Sequence, residues 1–156
     1  MDLARELSSF HASSWGWALA CCGRDAARAE DVLQQSYVKV LEGKARFAGT
    51  SSLKTWFFGV IRITALEHSR WRWFASERDA PSSTPQPDSL SARKQTAEAL
   101  SRALARLSAR QREVLHLVFY EELTIEEAAA IMGLSVGSAR QHYDRGKKSL
   151  KEMLET

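Results

Sequence analysis

The sequence predicts an all-α protein built from two small helical domains joined by a flexible linker. Apolar residues recur three and four positions apart along most of the 156 residues, and no stretch alternates apolar with polar residues with β-branched enrichment. The three prolines, Pro81, Pro85 and Pro87, fall together in a turn-forming, polyproline-like run with almost nothing to bury. All five tryptophans (Trp15, Trp17, Trp56, Trp71, Trp73) precede that run, so the two sides differ in character. The expected division is a three-helix bundle over 1–75, a linker over 76–94 and a four-helix unit containing a helix-turn-helix over 95–156.

The first helix is expected over 2–22, ending at Gly23-Arg24-Asp25. Asp25 offers a cap to the second, about 26–43, whose apolar stripe is Val32, Leu33, Tyr37, Val40 and Leu41. Gly43 and Gly49 bracket an irregular segment. Ser51 or Ser52 then opens a third helix to about residue 74, with Leu53, Trp56, Phe57, Val60, Ile61 and Leu66 toward the core. Beyond the linker a helix covers roughly 90–106. Ser108-Ala-Arg-Gln111 fits a capping box for the next, which carries Val114, Leu115, Val118 and Phe119. Thr124-Ile-Glu-Glu127 fits the same box for a helix that runs to Met132, where Gly133 suits a left-handed terminus and Leu134 tucks back. Ser135 caps the last helix, which reaches about residue 153 with Leu150 and Leu154 inward.

Composition narrows the class. With 44% hydrophobic and 26% charged residues the chain reads as a folded protein rather than a disordered one. No apolar run approaches the roughly 20 residues that span a bilayer. The start, Met1-Asp2-Leu3-Ala4-Arg5-Glu6, lacks the basic patch and apolar stretch of a signal peptide, so a cytoplasmic protein is expected. Cys21 and Cys22 are neighbours in sequence and read as small apolar residues rather than a disulfide. The four histidines stand at no metal-ligand spacing relative to them, so neither metal nor cofactor is expected. Nor does any phosphate loop, helical histidine pair or nucleophile elbow point to an enzyme.

The net charge of +3 is unevenly spread. Residues 1–74 carry 10 Lys/Arg against 7 Asp/Glu, and residues 136–156 carry 5 against 3, whereas 96–135 are slightly acidic with 4 against 6. Local basic surpluses suit a protein that touches phosphates, although solvated helices also show them. The strongest local signal is Thr124 to Lys148. An alanine-rich short helix, a Gly-Leu-Ser turn and a longer helix make a helix-turn-helix, with Ala128 and Ala129 allowing a close crossing. Ile125, Ile131, Leu134, Val136 and Ala139 are expected underneath. The outer face then holds Ser138, Arg140, Gln141, Tyr143, Asp144, Arg145, Lys147 and Lys148, with Ser135 at the helix start. Arg and Gln suit bidentate contacts to base edges, while Ser, Lys and the helix N-terminus suit phosphates.

Further motifs carry a resemblance. Ala105-Arg-Leu-Ser-Ala-Arg-Gln-Arg-Glu-Val-Leu115, Leu123-Thr-Ile-Glu-Glu-Ala-Ala129 and Leu134-Ser-Val-Gly-Ser-Ala-Arg140 resemble region 4 of bacterial sigma factors. Asp31-Val-Leu-Gln-Gln-Ser-Tyr37, Phe47-Ala-Gly-Thr-Ser-Ser52 and Thr55-Trp-Phe-Phe-Gly-Val-Ile-Arg62 resemble region 2. The two matches follow the family's order across the linker, and the short chain resembles the extracytoplasmic-function group.

The resemblance implies a promoter-directing subunit that binds RNA polymerase core through the largest-subunit coiled coil and the flap, and reads the −35 and −10 elements. It implies polymerase contacts from Asp31, Gln34, Gln35, Tyr37 and Lys39, with Gln35 where the family usually has glutamate. It implies −35 contacts from the last helix. The loop Arg46–Ser52 would capture a flipped −10 base, and the third helix would hold the strand. Candidates there are Arg46, Phe47, Ser51, Ser52, Lys54, Arg62, Arg70, Trp71 and Arg72, where cations interleaved with rings suit a single strand. Ile63 and Glu67 stand where the family often has Asn and Asp. An anti-sigma factor is implied as a further partner. Two other readings compete: a helix-turn-helix transcription factor with an N-terminal sensing or dimerisation domain, and a protein that sequesters polymerase without melting DNA. The Trp/Arg cluster at 70–74 and the loop at 46–52 favour the sigma factor.

Overall fold

The computed structural model describes residues 2–75 and 92–155. In chain order the helices are α1 (Leu3–Ser9), α2 (His11–Cys21), α3 (Ala26–Leu41), α4 (Leu53–Ala75), α5 (Ala92–Arg106), α6 (Ala109–Leu115), α7 (Ile125–Met132) and α8 (Val136–Glu155). The described residues contain no strand, as the all-α expectation requires. Most of the expected linker, residues 76–91, lies outside the described residues; its last three positions, 92–94, belong to α5.

The termini follow local chemistry. The Asp25 carboxylate accepts from the Arg28 N–H at 3.2 Å and starts α3. Ser52 Oγ accepts from the Thr55 N–H at 3.0 Å at the start of α4. Thr124 and Glu127 close a full capping box on α7, and Gly133 ends it at φ 66°, a conformation that penalises any Cβ.

Three features depart from the sequence expectation. The single first helix is two, α1 and α2, broken at Phe10, whose N–H turns back to Leu7 and Ser8 carbonyls. The break lets both pieces pack on one core, through Leu7 and Trp17. Second, α6 does not continue as an α-helix: His116–Tyr120 form a π-helical segment. A π turn takes in an extra residue, which rotates the following side chains relative to an α-helix. Phe119 is consequently 61% exposed and Val118 only half-buried, against the inward placement expected of both. Third, several stripe residues lie at helix margins and face solvent. Leu41 is the last residue of α3, Val136 the first of α8, and Leu154 lies in its final turn; all three are exposed, as is Leu66 on the outward side of α4.

The first half is a bundle in which α2, α3 and α4 pack on one another, and the second packs α5, α6 and α7 around α8. Gly146 makes the α6–α8 crossing close: a Cβ there would lie 3.1 Å from Gln111 Cβ and Leu115 Cδ1. The halves also pack on each other, α4 against α7 and α2 against α6. One buried cluster therefore runs from Leu7, Trp17, Phe57 and Phe58 to Val114, Leu117, Ala128 and Met132.

Candidate nucleic-acid interface

The recognition face of the helix-turn-helix is assembled by α8. Ala139 and Gly146 are buried, and Arg140, Gln141, Arg145 and Lys148 recur at helical spacing on the opposite, exposed side. Lys147 is exposed too, but its ammonium lies 4.9 Å from the centre of the Tyr143 ring, and Tyr143 in turn stacks on Phe119 at 5.7 Å. Tyr143 is half-buried, so it supports this face rather than extending from it. Ser135 spends its hydroxyl on the Ser138 N–H at 3.1 Å, and Ser138 is half-buried.

The candidate −10 residues fall into three groups. Phe47 folds back so that its ring is 5.4 Å from that of Trp56, which pins the loop onto the start of α4. Arg46 and Ser51 stay exposed there, while Ser52 is committed to capping. Arg70 is exposed on α4; Trp71 and Arg72 follow in the same helix, but their side chains lie outside the described residues. Lys54 and Arg62 are not free at all. Lys54 pairs with Glu121 at 2.8 Å, and Arg62 Nε donates to Glu113 at 2.7 Å.

The candidate polymerase face is more coherent. Asp31, Gln34, Gln35, Val38, Lys39 and Lys44 line one shallow concavity along α3. Lys39 is anchored at its rim, donating to Thr64 Oγ1 at 2.8 Å and pairing with Glu67, both on α4. Tyr37 does not share that surface. It is half-buried, with its ring 5.1 Å from Phe57 and its hydroxyl 2.8 Å from His11 Nδ1.

Sequence reasoning missed the polar seam between the halves. Arg112 is buried and donates to the Ala20 carbonyl at 2.8 Å and the Leu107 carbonyl at 3.1 Å, tying α2 to the α5–α6 turn. Burial pushes the Glu113 carboxyl up, against the downward pull of Arg62. Burial would also raise Glu121, but hydrogen bonds from His116 and Lys54 outweigh it and hold that carboxyl below its ordinary value. Burial raises Cys21 well above the usual thiol range and pushes Cys22 up to about 11, so neither thiol is primed for chemistry. The only signal available beforehand was the polar run Arg110-Gln-Arg-Glu113 directly ahead of the apolar Val114 and Leu115 in one helix. Among the described residues no His/Cys/Asp/Glu group is placed to hold a metal ion, and no helix is long and apolar enough to cross a membrane.

Comparison with known proteins decides the family. The Sigma-70 region 2 profile matches residues 9–74 and the Sigma-70 region 4 profile matches residues 103–152. The chain is 31% identical to the ECF RNA polymerase sigma factor EcfG of Rhodopseudomonas palustris, over 83% of this chain and 73% of that one. It belongs to the extracytoplasmic-function sigma factors. The sigma factor SigX of Bacillus subtilis is 28% identical over 85% of this chain and 73% of its own length. Among solved structures, RpoE of Bartonella quintana, determined with the anti-sigma factor NepR, superposes with a TM-score of 0.79 at 26% identity, covering 99% of this chain and 98% of that one. This sigma factor therefore acts in promoter-directed transcription initiation, and the transcription-factor alternative is not favoured.

Proposed function

We propose that α8 reads the −35 element through Arg140, Gln141 and Arg145, with Lys147 and Lys148 on phosphates. The loop 46–52 and the outward side of α4 take the −10 element, Arg46 and Ser51 at the pocket mouth and Arg70, Trp71 and Arg72 along the strand. Lys54 and Arg62 join them once released from the second half. Asp31, Gln34, Gln35 and Lys39 dock on the coiled coil of the polymerase largest subunit, and region 4 meets the flap. The chain works in the cytoplasm with polymerase and DNA, contributes binding free energy rather than a catalytic step, and is held by an anti-sigma factor, as RpoE is by NepR.

The observation that carries this reading is the exposed row Arg140, Gln141, Arg145 and Lys148 behind a fully capped turn, since it presents bidentate donors at the spacing of one helix face. The test is transcription from genomic fragments with purified core polymerase. A promoter-specific transcript that depends on the protein is expected. Equal binding to DNA with and without core, and no transcript, would overturn it.

A further inference from the structure

Beside the recognition helix, the π segment and α8 share a short ladder of rings that ends on a cation. Gly146 lets α6 and α8 cross closely, with Leu115 against it, and Phe119 lies about one turn beyond Leu115 in the π segment. Phe119 is 61% exposed, yet its ring is engaged: it stacks on Tyr143 of α8 at 5.7 Å between centroids and 29° between planes. Tyr143 is half-buried, and one helical turn further on the Lys147 ammonium stands 4.9 Å from the centre of its ring. Phe119, Tyr143 and Lys147 therefore form a row, and helical spacing sets its two α8 members in line with the exposed Arg140. Folding gains little from such a row, because most of Phe119 stays in water and an exposed cation over a ring shifts an equilibrium by only about two- to fivefold. Binding can gain from it. A free lysine loses much rotamer freedom when it settles on a phosphate, whereas over the ring that freedom is already restricted. The ring offers the ammonium no acceptor atom, so a fully charged phosphate oxygen wins the direct competition for its N–H donors.

We propose that Phe119 and Tyr143 are positioning residues for DNA: their stacked rings hold Lys147 along the flank of the recognition helix, ready for a backbone phosphate. The π segment at 116–120 is the backbone device that brings Phe119 to Tyr143. The proposal rests on the reading that Lys147 contacts a phosphate. In this role both rings act through the cation and not on the DNA, so their effect exists only while Lys147 is present.

The experiment uses the full chain and a fluorescein-labelled, mixed-sequence DNA duplex, titrated over a series of salt concentrations. Lys147→Ala sets the reference: at about 0.1 M salt it should weaken binding roughly five- to tenfold and lower the salt slope by about one unit. Tyr143→Leu keeps apolar bulk and removes the ring face. It should weaken binding about two- to fivefold at an unchanged salt slope, because the phosphate contact still forms but from a freer side chain. Phe119→Ala should act in the same way by a smaller factor, and Tyr143→Phe, which keeps the ring, should hold the wild-type affinity. The decisive measurement is Tyr143→Leu in the Lys147→Ala background, where it should add nothing. An equal loss in both backgrounds would mean that the ring acts on the fold or on DNA itself, and overturns the positioning. Tighter binding by Tyr143→Leu overturns it too, since the ring would then be withholding the ammonium. Unchanged affinity in Tyr143→Leu, with Lys147→Ala weakened, overturns the positioning and leaves the phosphate contact standing; unchanged affinity in Phe119→Ala overturns the part assigned to Phe119. If Lys147→Ala alone matches wild type in affinity and slope, the phosphate contact itself fails, and the positioning with it.

Discussion

At the scale of single residues, the proposed −35 reading divides the exposed side chains of α8 between bases and phosphates. Arg140 and Arg145 are exposed and are the only guanidinium groups on α8. Alanine at either should cost −35 binding about 1–3 kcal/mol and relax the sequence preference at one position. Footprints that keep the wild-type pattern would show these side chains do not touch bases. Lys147, held over the Tyr143 ring, stays near the helix surface and suits a phosphate. Its alanine variant should weaken all sequences alike and lower the salt slope by roughly one unit. The seam carboxylates respond to pH in opposite windows. Glu121 is depressed below its ordinary 4.5, so its stabilisation is complete above that value and is lost as pH falls through the lowered one. Glu113 is raised above 4.5, so its ionisation costs stability at neutral pH, and that cost disappears as pH falls through the raised value. Melting temperatures from neutral to acid pH, compared between wild type and each glutamine variant, should show Glu113→Gln flattening the upper window and Glu121→Gln the lower.

At the scale of elements, α7 and α8 show why part of this fold was legible in the sequence. Thr124, Glu127 and Gly133 act through their own backbone neighbourhood, within a few residues, so their spacing announces α7 before any tertiary contact is known. Thr124→Ala should cost about 1 kcal/mol, since the Glu127 N–H loses its 3.1 Å side-chain partner at the helix start. Calorimetry or urea melting measures it. The break at Phe10 and the π segment at 116–120 had no such signature. Both arise because the chain must aim side chains at a distant surface: Trp17 at Phe58, and His116 at Trp17. Tyr37 misled for the same reason, as its hydroxyl reaches His11 on another helix. Gly146 is the converse, a residue with no local cue whose role is entirely tertiary. Valine there would bring its Cβ to 3.1 Å from Gln111 Cβ and Leu115 Cδ1, and Leu115 is buried with little room to shift. Overpacking of this kind costs about 1–3 kcal/mol, so Gly146→Val should lower the denaturant midpoint at an unchanged slope.

At the scale of the whole molecule, the proline-marked division suggests two bodies, while the packing makes them one cooperative unit. Trp17 illustrates the point. Its ring stacks on Phe58 of its own half at 5.7 Å and meets His116 of the other at the same distance, so neither half alone completes its surroundings. On the second half, Ala128 and Met132 of α7 are buried within the same cluster. Taking the halves apart exposes that apolar surface, and it strands the Glu113 carboxylate and the Arg112 guanidinium unless water reaches them. Buried charges left unpaired are strongly destabilising, which couples the two halves beyond their apolar contact. Thermal unfolding of the wild-type chain should therefore be a single transition, with calorimetric and van't Hoff enthalpies in agreement. Gly16→Leu, which sets a larger side chain against His116 between the halves, should split the transition into two steps, each half melting by itself. Two separate transitions in the wild type would mean the halves stand independently and the seam contributes nothing to holding them closed.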